Sequence, residues 1–156
     1  MNNNAVSNIE GLRMDSTSTQ PELLVRAAQY HVLIMEDDVT FKPFWYKAVA
    51  QVLPNAHIDW VASEEAAERR VKKMTLDGKK YDIIIADIFL AGRKTGIDLW
   101  TRFSEVADEF LFVSSLSEEK FNKLIQAIEF SYPVYLQKPL RLADCVDMLK
   151  QLVLKN

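Results

Sequence analysis

The chain has 156 residues, of which 49% are hydrophobic and 26% charged; this fits one soluble globular domain and excludes wholesale disorder. With 19 basic and 22 acidic residues the net charge is −3, so no strong electrostatic pull toward nucleic acid or an anionic membrane is expected. A single cysteine, Cys145, excludes an intrachain disulfide and a multi-cysteine zinc site, and no apolar run is long enough to span a membrane. The amino terminus lacks a basic-then-apolar pattern, so no secretion signal is read there and the expected location is the cytoplasm.

Residues 1–29 read as a polar tail rich in Asn, Ser and Thr, with a short helix over 21–29 that starts at Pro21. The body, residues 30–156, alternates strands with helices. Tyr30–Met35 is a short apolar run that stops at Glu36, Asp37 and Asp38. Phe41, Phe44, Trp45, Ala48, Val49, Val52 and Leu53 then recur at helical spacing until Pro54. His57–Ala62 reads as a second strand, Ser63 as the N-cap of a charged helix, and Asp77-Gly78 as a turn. Tyr81–Ala86 is a β-branched strand ending at Asp87. A loop with Gly92 and Gly96 leads to a helix holding Ile97, Leu99, Trp100 and Phe103. Phe110–Val113 is the fourth strand, ending at Ser114-Ser115, and Ser117 caps the next helix. Val134–Gln137 is the fifth strand, ending at Lys138-Pro139, and the last helix runs near Leu142–Leu154. Continuous apolar strands in such a series predict an α/β fold with a parallel sheet covered on both faces.

In an open parallel sheet, ligands bind beyond the carboxyl ends of the strands. Glu36, Asp37, Asp87, Ser114 and Lys138 all follow directly on strands, so the topology would bring them to one rim although they are far apart in sequence. Carboxylates crowded together repel, and such a cluster needs positive compensation. Magnesium suits oxygen ligands of this kind, Lys138 supplies a movable point charge, and Ser114 supplies a hydroxyl. Together they describe a site for a phosphoryl group with one carboxylate as nucleophile. Taken singly, each group has an ordinary role. Asp87 would be a turn former or helix cap, Asp38 a cap of the first helix or a solvent residue, and Lys138 a surface lysine. Ser114 and Ser115 would be turn residues, and Tyr135 a half-buried strand residue. The coincidence at one rim favours the shared site.

The segments VLIMEDD (32–38), YDIIIADIFL (81–90), FLFVSS (110–115) and YLQKPL (135–140) resemble the receiver domains of two-component response regulators, CheY-like and of the flavodoxin-like type. The resemblance implies a five-stranded parallel sheet in the order 2-1-3-4-5 with five helices. It also implies that Asp87 is the phospho-acceptor, taking its phosphoryl group from a phosphohistidine on a sensor histidine kinase or a histidine phosphotransfer protein. Asp37, Asp87 and the backbone carbonyl of Phe89 would hold magnesium, with Glu36 reaching it directly or through water. Lys138 would pair with Asp87 before reaction and with the phosphoryl group after it, and Ser114 would donate to a phosphoryl oxygen. Tyr135 matches the aromatic switch position, coupled through Ser114 to a downstream target protein on the face formed by the fourth helix, fifth strand and last helix. The Lys138–Pro139 bond is often cis in this family. The resemblance leaves room for a homodimer.

Some features depart from the family pattern. Ala91 stands where many members have proline, the glycine at 96 comes one position late after Arg93-Lys94, and Phe130-Ser131-Tyr132-Pro133 replaces a Gly-Ala pair. These bear on kinase choice, phosphoryl lifetime and the output face. The chain ends just after the last helix, so a single-domain regulator acting by protein–protein interaction is expected. Two other readings compete. A haloacid-dehalogenase-like phosphatase needs an acid two residues after its nucleophile, where this chain has Phe89. A receiver-shaped interaction module working without phosphorylation would not need the complete acid, serine and lysine set. No G-x-G-x-x-G or G-x-x-x-x-G-K-[ST] motif is present, so a nucleotide-binding domain is disfavoured.

Overall fold

Four of the five residues of the first strand, β1 (His31–Met35), are wholly buried, and the reason lies in the sheet that surrounds it. The computed structural model describes residues 29–90, 95–128 and 133–155. Within them β1 joins β2 (His57–Val61), β3 (Tyr81–Asp87), β4 (Ala107–Ser114) and β5 (Val134–Gln137) in one parallel sheet of order β2-β1-β3-β4-β5. Four helices connect them, α1 (Lys42–Val52), α2 (Glu64–Leu76), α3 (Gly96–Phe103) and α4 (Glu118–Gln126), and a fifth, α5 (Leu142–Leu154), follows β5. The fold class and strand order expected from the sequence are those observed. The tail and short helix over 21–29 fall, apart from Gln29, outside the described residues, as do Ala91, Gly92, Arg93-Lys94 and Phe130–Tyr132.

Each strand divides its side chains between two cores, as the period of two requires. Val32, Ile34, Ile83, Ile85, Leu111 and Val113 pack against α1 and α5 through residues such as Trp45, Val49 and Leu149. Leu33, Met35, Ile84, Ala86 and Phe112 pack against α2, α3 and α4 through Val71, Leu99, Trp100 and Phe121. A strand buried on both faces has no polar alternation to show, which explains the continuous apolar runs. Cys145 is wholly buried in the first of these cores, and burial pushes its thiol up to about 11.

The helix starts follow side-chain caps. Ser63 accepts from the Ala66 N–H at 3.2 Å and Ser117 from the Lys120 N–H at 3.4 Å, both as expected. Thr95 and Asp98 form a reciprocal capping box at α3. Asp38 accepts from the Thr40 N–H at 2.9 Å, so it caps the 3-10 turn Val39–Phe41 that leads into α1. At the end of α2, Gly78 takes φ +67°, the left-handed conformation a helix stop of this kind favours.

Two elements differ from expectation. β4 starts at Ala107, three residues before the apolar run, because Ala107 and Glu109 pair with Tyr81 and Ile83 of β3. Ladder pairing outweighs the polar character of Asp108 and Glu109, and Asp108 is engaged by Lys80. In α2, the first-turn acid Glu64 is only 1% exposed, which the charged character of the helix did not indicate. Arg102 of α3 reaches it at 3.1 Å and Glu68 at 2.8 Å, tying the two helices together. Hydrogen bonds from Lys72 and Arg102 hold the Glu68 carboxyl down at about 2.

Candidate functional site

The order β2-β1-β3 means that the chain leaves β1 in one direction and returns on its other side, opening a crevice beyond the carboxyl ends of β1 and β3. Glu36 and Asp37 directly follow β1, and Asp87 is the last residue of β3. One ligand oxygen from each of these three lies within 4.8 Å of the others. Glu36 and Asp87 are nearly buried, at 3% and 8% exposure, while Asp37 faces solvent.

Lys138 enters from the end of β5. Its Nζ donates to Asp87 Oδ2 at 2.7 Å and to Glu36 Oε2 at 2.8 Å. Its backbone N–H donates to the Ser114 carbonyl at 2.7 Å, which registers the β5 end against the β4 end. The Lys138–Pro139 bond is cis. Main-chain donors complete the carboxylates: Phe89 N–H donates to Asp87 Oδ1 at 2.9 Å, and Asp38 N–H to Glu36 Oε1 at 3.2 Å. The side chain of Phe89 points outward and is 55% exposed.

Burial pushes the Glu36 carboxyl above its ordinary value, and the hydrogen bond and charge of Lys138 offset this only in part. Burial works to lower Lys138, but hydrogen bonds and charge from Asp87 and Glu36 outweigh it and hold the ammonium firmly protonated. Among the described residues, the Lys138 ammonium is bonded to two of the three clustered carboxylates. The cluster's all-oxygen donor set is the chemistry a hard divalent cation takes.

Ser114 is wholly buried at the end of β4, where its Oγ accepts from the Leu116 N–H at 3.3 Å. Tyr135, half-buried on β5, stacks on Phe121 of α4 with ring centroids 4.1 Å apart. Its hydroxyl reaches the carbonyls of Leu116 at 2.5 Å and Ser114 at 3.1 Å. Ser114 and Tyr135 therefore hold the same short loop between β4 and α4 from two sides. Glu36, Asp37, Asp87 and Lys138 are brought together at this rim, Ser114 ends the neighbouring β4, Tyr135 reaches the β4–α4 loop, and Phe89 enters through its N–H.

Two further residues belong to the site. The Phe41 ring lies 4.6 Å from Lys138 Nζ, covering the ammonium on one side. Its helical spacing marked it only as core, and the sequence carries no sign of the lysine opposite. Gly96 sits so close to the end of β3 that a Cβ there would lie 2.6 Å from the Asp87 carbonyl oxygen. A glycine shortly after the candidate acid and just before a helix was the available signal.

No family model and no curated protein matches the chain at a significant level. Many solved structures share its fold. The phosphorylated cyanobacterial phytochrome response regulator RcpA aligns over 80% of this chain and 91% of its own, with TM-score 0.62 and 14% identity. The BeF3-activated DrrB receiver domain aligns over 83% and 100%, with TM-score 0.64 and 14% identity. A two-component response regulator from Cytophaga hutchinsonii aligns over 81% and 97%, with TM-score 0.63 and 22% identity. The chain thus has the flavodoxin-like fold of response regulator receiver domains, CheY-like receivers included. No described helix is long and apolar enough to cross a membrane.

Proposed function

We propose that this protein is a phospho-accepting receiver that signals through protein–protein contacts. The observation that carries the reading is the lysine shared by two nearly buried carboxylates at the switch point of the sheet, with Asp37 beside them. Asp87 attacks the phosphorus of a phosphohistidine on a sensor kinase or phosphotransfer protein. A P–O bond to its carboxylate forms as the P–N bond breaks. The imidazole nitrogen keeps the electron pair of the broken bond and takes up a proton. Lys138 then passes from the Asp87 carboxylate to the transferred phosphoryl group, as a flexible ammonium can. Asp37, Asp87 and the Phe89 carbonyl would hold magnesium, with Glu36 directly or through water; the ion would supply charge neutralisation at the phosphoryl oxygens.

Signal output follows from the β4–α4 loop. Ser114 exchanges its acceptor role at Leu116 for donation to a phosphoryl oxygen. That shifts the loop carbonyls to which Tyr135 is bonded, and with them the surface of α4, β5 and α5 that a target protein reads. Phe89 offers no acid or base where a hydrolase of the haloacid dehalogenase type needs one, so the expected product is one labile acyl phosphate that the protein itself loses, not repeated turnover of added monoesters.

Intact-mass spectrometry after treatment with acetyl phosphate and magnesium tests the proposal. The wild type should gain one phosphoryl group and Asp87→Asn none; an unmodified wild type, or an equally modified variant, would refute it. Magnesium should also raise the melting temperature, since an ion at ten times its Kd adds about 1.4 kcal/mol. A melting curve indifferent to millimolar magnesium would remove the metal from the site.

A further inference from the structure

β2 is the outermost strand on one side of the sheet. Its His57 N–H donates to the Tyr30 carbonyl at 2.7 Å, and its Val61 carbonyl accepts from the Glu36 N–H at 3.0 Å. In a parallel ladder alternate residues face the same neighbour. His57, Asp59 and Val61 therefore address β1, and the main-chain groups of Ile58 and Trp60 turn outward. At the carboxyl end of β2 an open cleft of about 500 Å³ lies between the strand and α2. Trp60, Val61 and Ala62 form one wall, and Arg69, Arg70 and Lys73 of α2 form the other. Ala62 and Ala66 are small and keep the end of the cleft wide.

Among the described residues no carboxylate lines this cleft. Arg70 is shared with Asp59 at 3.5 Å, but its side chain remains 50% exposed, and Arg69 and Lys73 are both exposed. An edge strand offers a row of donors and acceptors on which another strand can form, and the flanking charge selects which one. Two copies of this edge would bring like charges together, which disfavours self-pairing.

We propose that the β2 edge binds an extended acidic segment of a partner protein by strand addition. The segment's main chain pairs with the outward groups of Ile58 and Trp60, and its carboxylates meet Arg69, Arg70 and Lys73. This surface is separate from phospho-acceptance at Asp87 and is occupied without phosphorylation.

The test uses the full, untreated chain and a fluorescein-labelled peptide alternating glutamate with valine, followed by fluorescence anisotropy. Saturable binding is expected. The double variant Arg69→Glu, Lys73→Glu, exposed at both positions and unchanged in melting temperature, should bind about tenfold more weakly or worse. Of two peptides N-methylated on alternate residues, one should bind like the parent and the other should lose binding at the same charge. Amides of Ile58 and Trp60 should gain protection from hydrogen exchange when peptide is added. Absence of saturable binding, equal binding by the double variant, or equal binding by both N-methylated peptides would overturn the proposal. So would protection of the same amides by self-association alone, which would assign the edge to a second copy.

Discussion

Lys138→Ala is expected to lower phosphoryl uptake from acetyl phosphate about 100-fold or more while leaving magnesium binding in place. The amine touches both Asp87 and Glu36, and under the proposed function it is the positive group that follows the phosphoryl oxygens once Asp87 has reacted. Its loss removes charge neutralisation where the transition state needs it. The same change leaves a more negative cluster, so the affinity for a divalent cation should rise. Stability should move in the opposite sense to metal affinity. Two nearly buried carboxylates would lose their shared partner, a change that costs about 3 kcal/mol when the charges stay buried. The pH dependence distinguishes this from a packing defect. The Glu36 carboxyl already lies above its ordinary value of 4.5 because it is buried. Its proton therefore stabilises the fold, fully below the unfolded value, and that contribution is lost as pH rises through the folded value. Without Lys138 the folded value climbs further. The stability gap between variant and wild type should thus be widest near neutral pH and narrow on acidification. Urea unfolding at a series of pH values measures the gap; a constant one would show that Lys138 acts through packing, and undiminished uptake at equal folded fraction would remove its chemical role.

How much of this was legible in the sequence depends on which force places each residue. β3 and β4 stay apolar up to Asp87 and Ser114, because burial on both faces admits few polar residues before the rim, and the half-buried edge strand β5 still ends its run at Gln137, just before Lys138. Asp87, Ser114 and Lys138 stand out for that reason, and parallel topology then brings them together without further information. The start of β4 was hidden, since Asp108 and Glu109 belong to the strand through pairing with β3 rather than through their own preference. Glu64 was hidden too. A first-turn glutamate usually faces water, and only the approach of Arg102 from a different helix makes its burial tolerable. The cover that Phe41 places over Lys138 depends on the path of a short 3-10 turn, which sequence spacing does not encode. Residues placed by burial and topology were readable; those placed by contacts between distant side chains were not.

Gly96→Ala is expected to destabilise the fold by about 1–2 kcal/mol and to impair phosphoryl uptake at the same time. In isolation the change should help, because alanine is the better helix former by about 1 kcal/mol and Gly96 is the first residue of α3. Space decides otherwise. The added Cβ would lie 2.6 Å from the Asp87 carbonyl oxygen and 3.2 Å from both Ala86 Cβ and Met35 Cε. The nearest of these is backbone, so relief requires moving either α3 or the end of β3, and the Gly96 N–H bond to the Ile88 carbonyl at 3.3 Å resists their separation. Either movement displaces the residue that the proposal makes the phospho-acceptor. Gly78→Ala provides the contrast. Nothing lies within 4 Å of a Cβ there, but φ is +67°, so the cost is left-handed strain of about 1 kcal/mol confined to the end of α2. Both variants should unfold earlier in urea. Only Gly96→Ala should also lose magnesium stabilisation and phosphoryl uptake under conditions where it is fully folded. If the two variants modify equally well, the packing of α3 against β3 supports the fold without positioning Asp87.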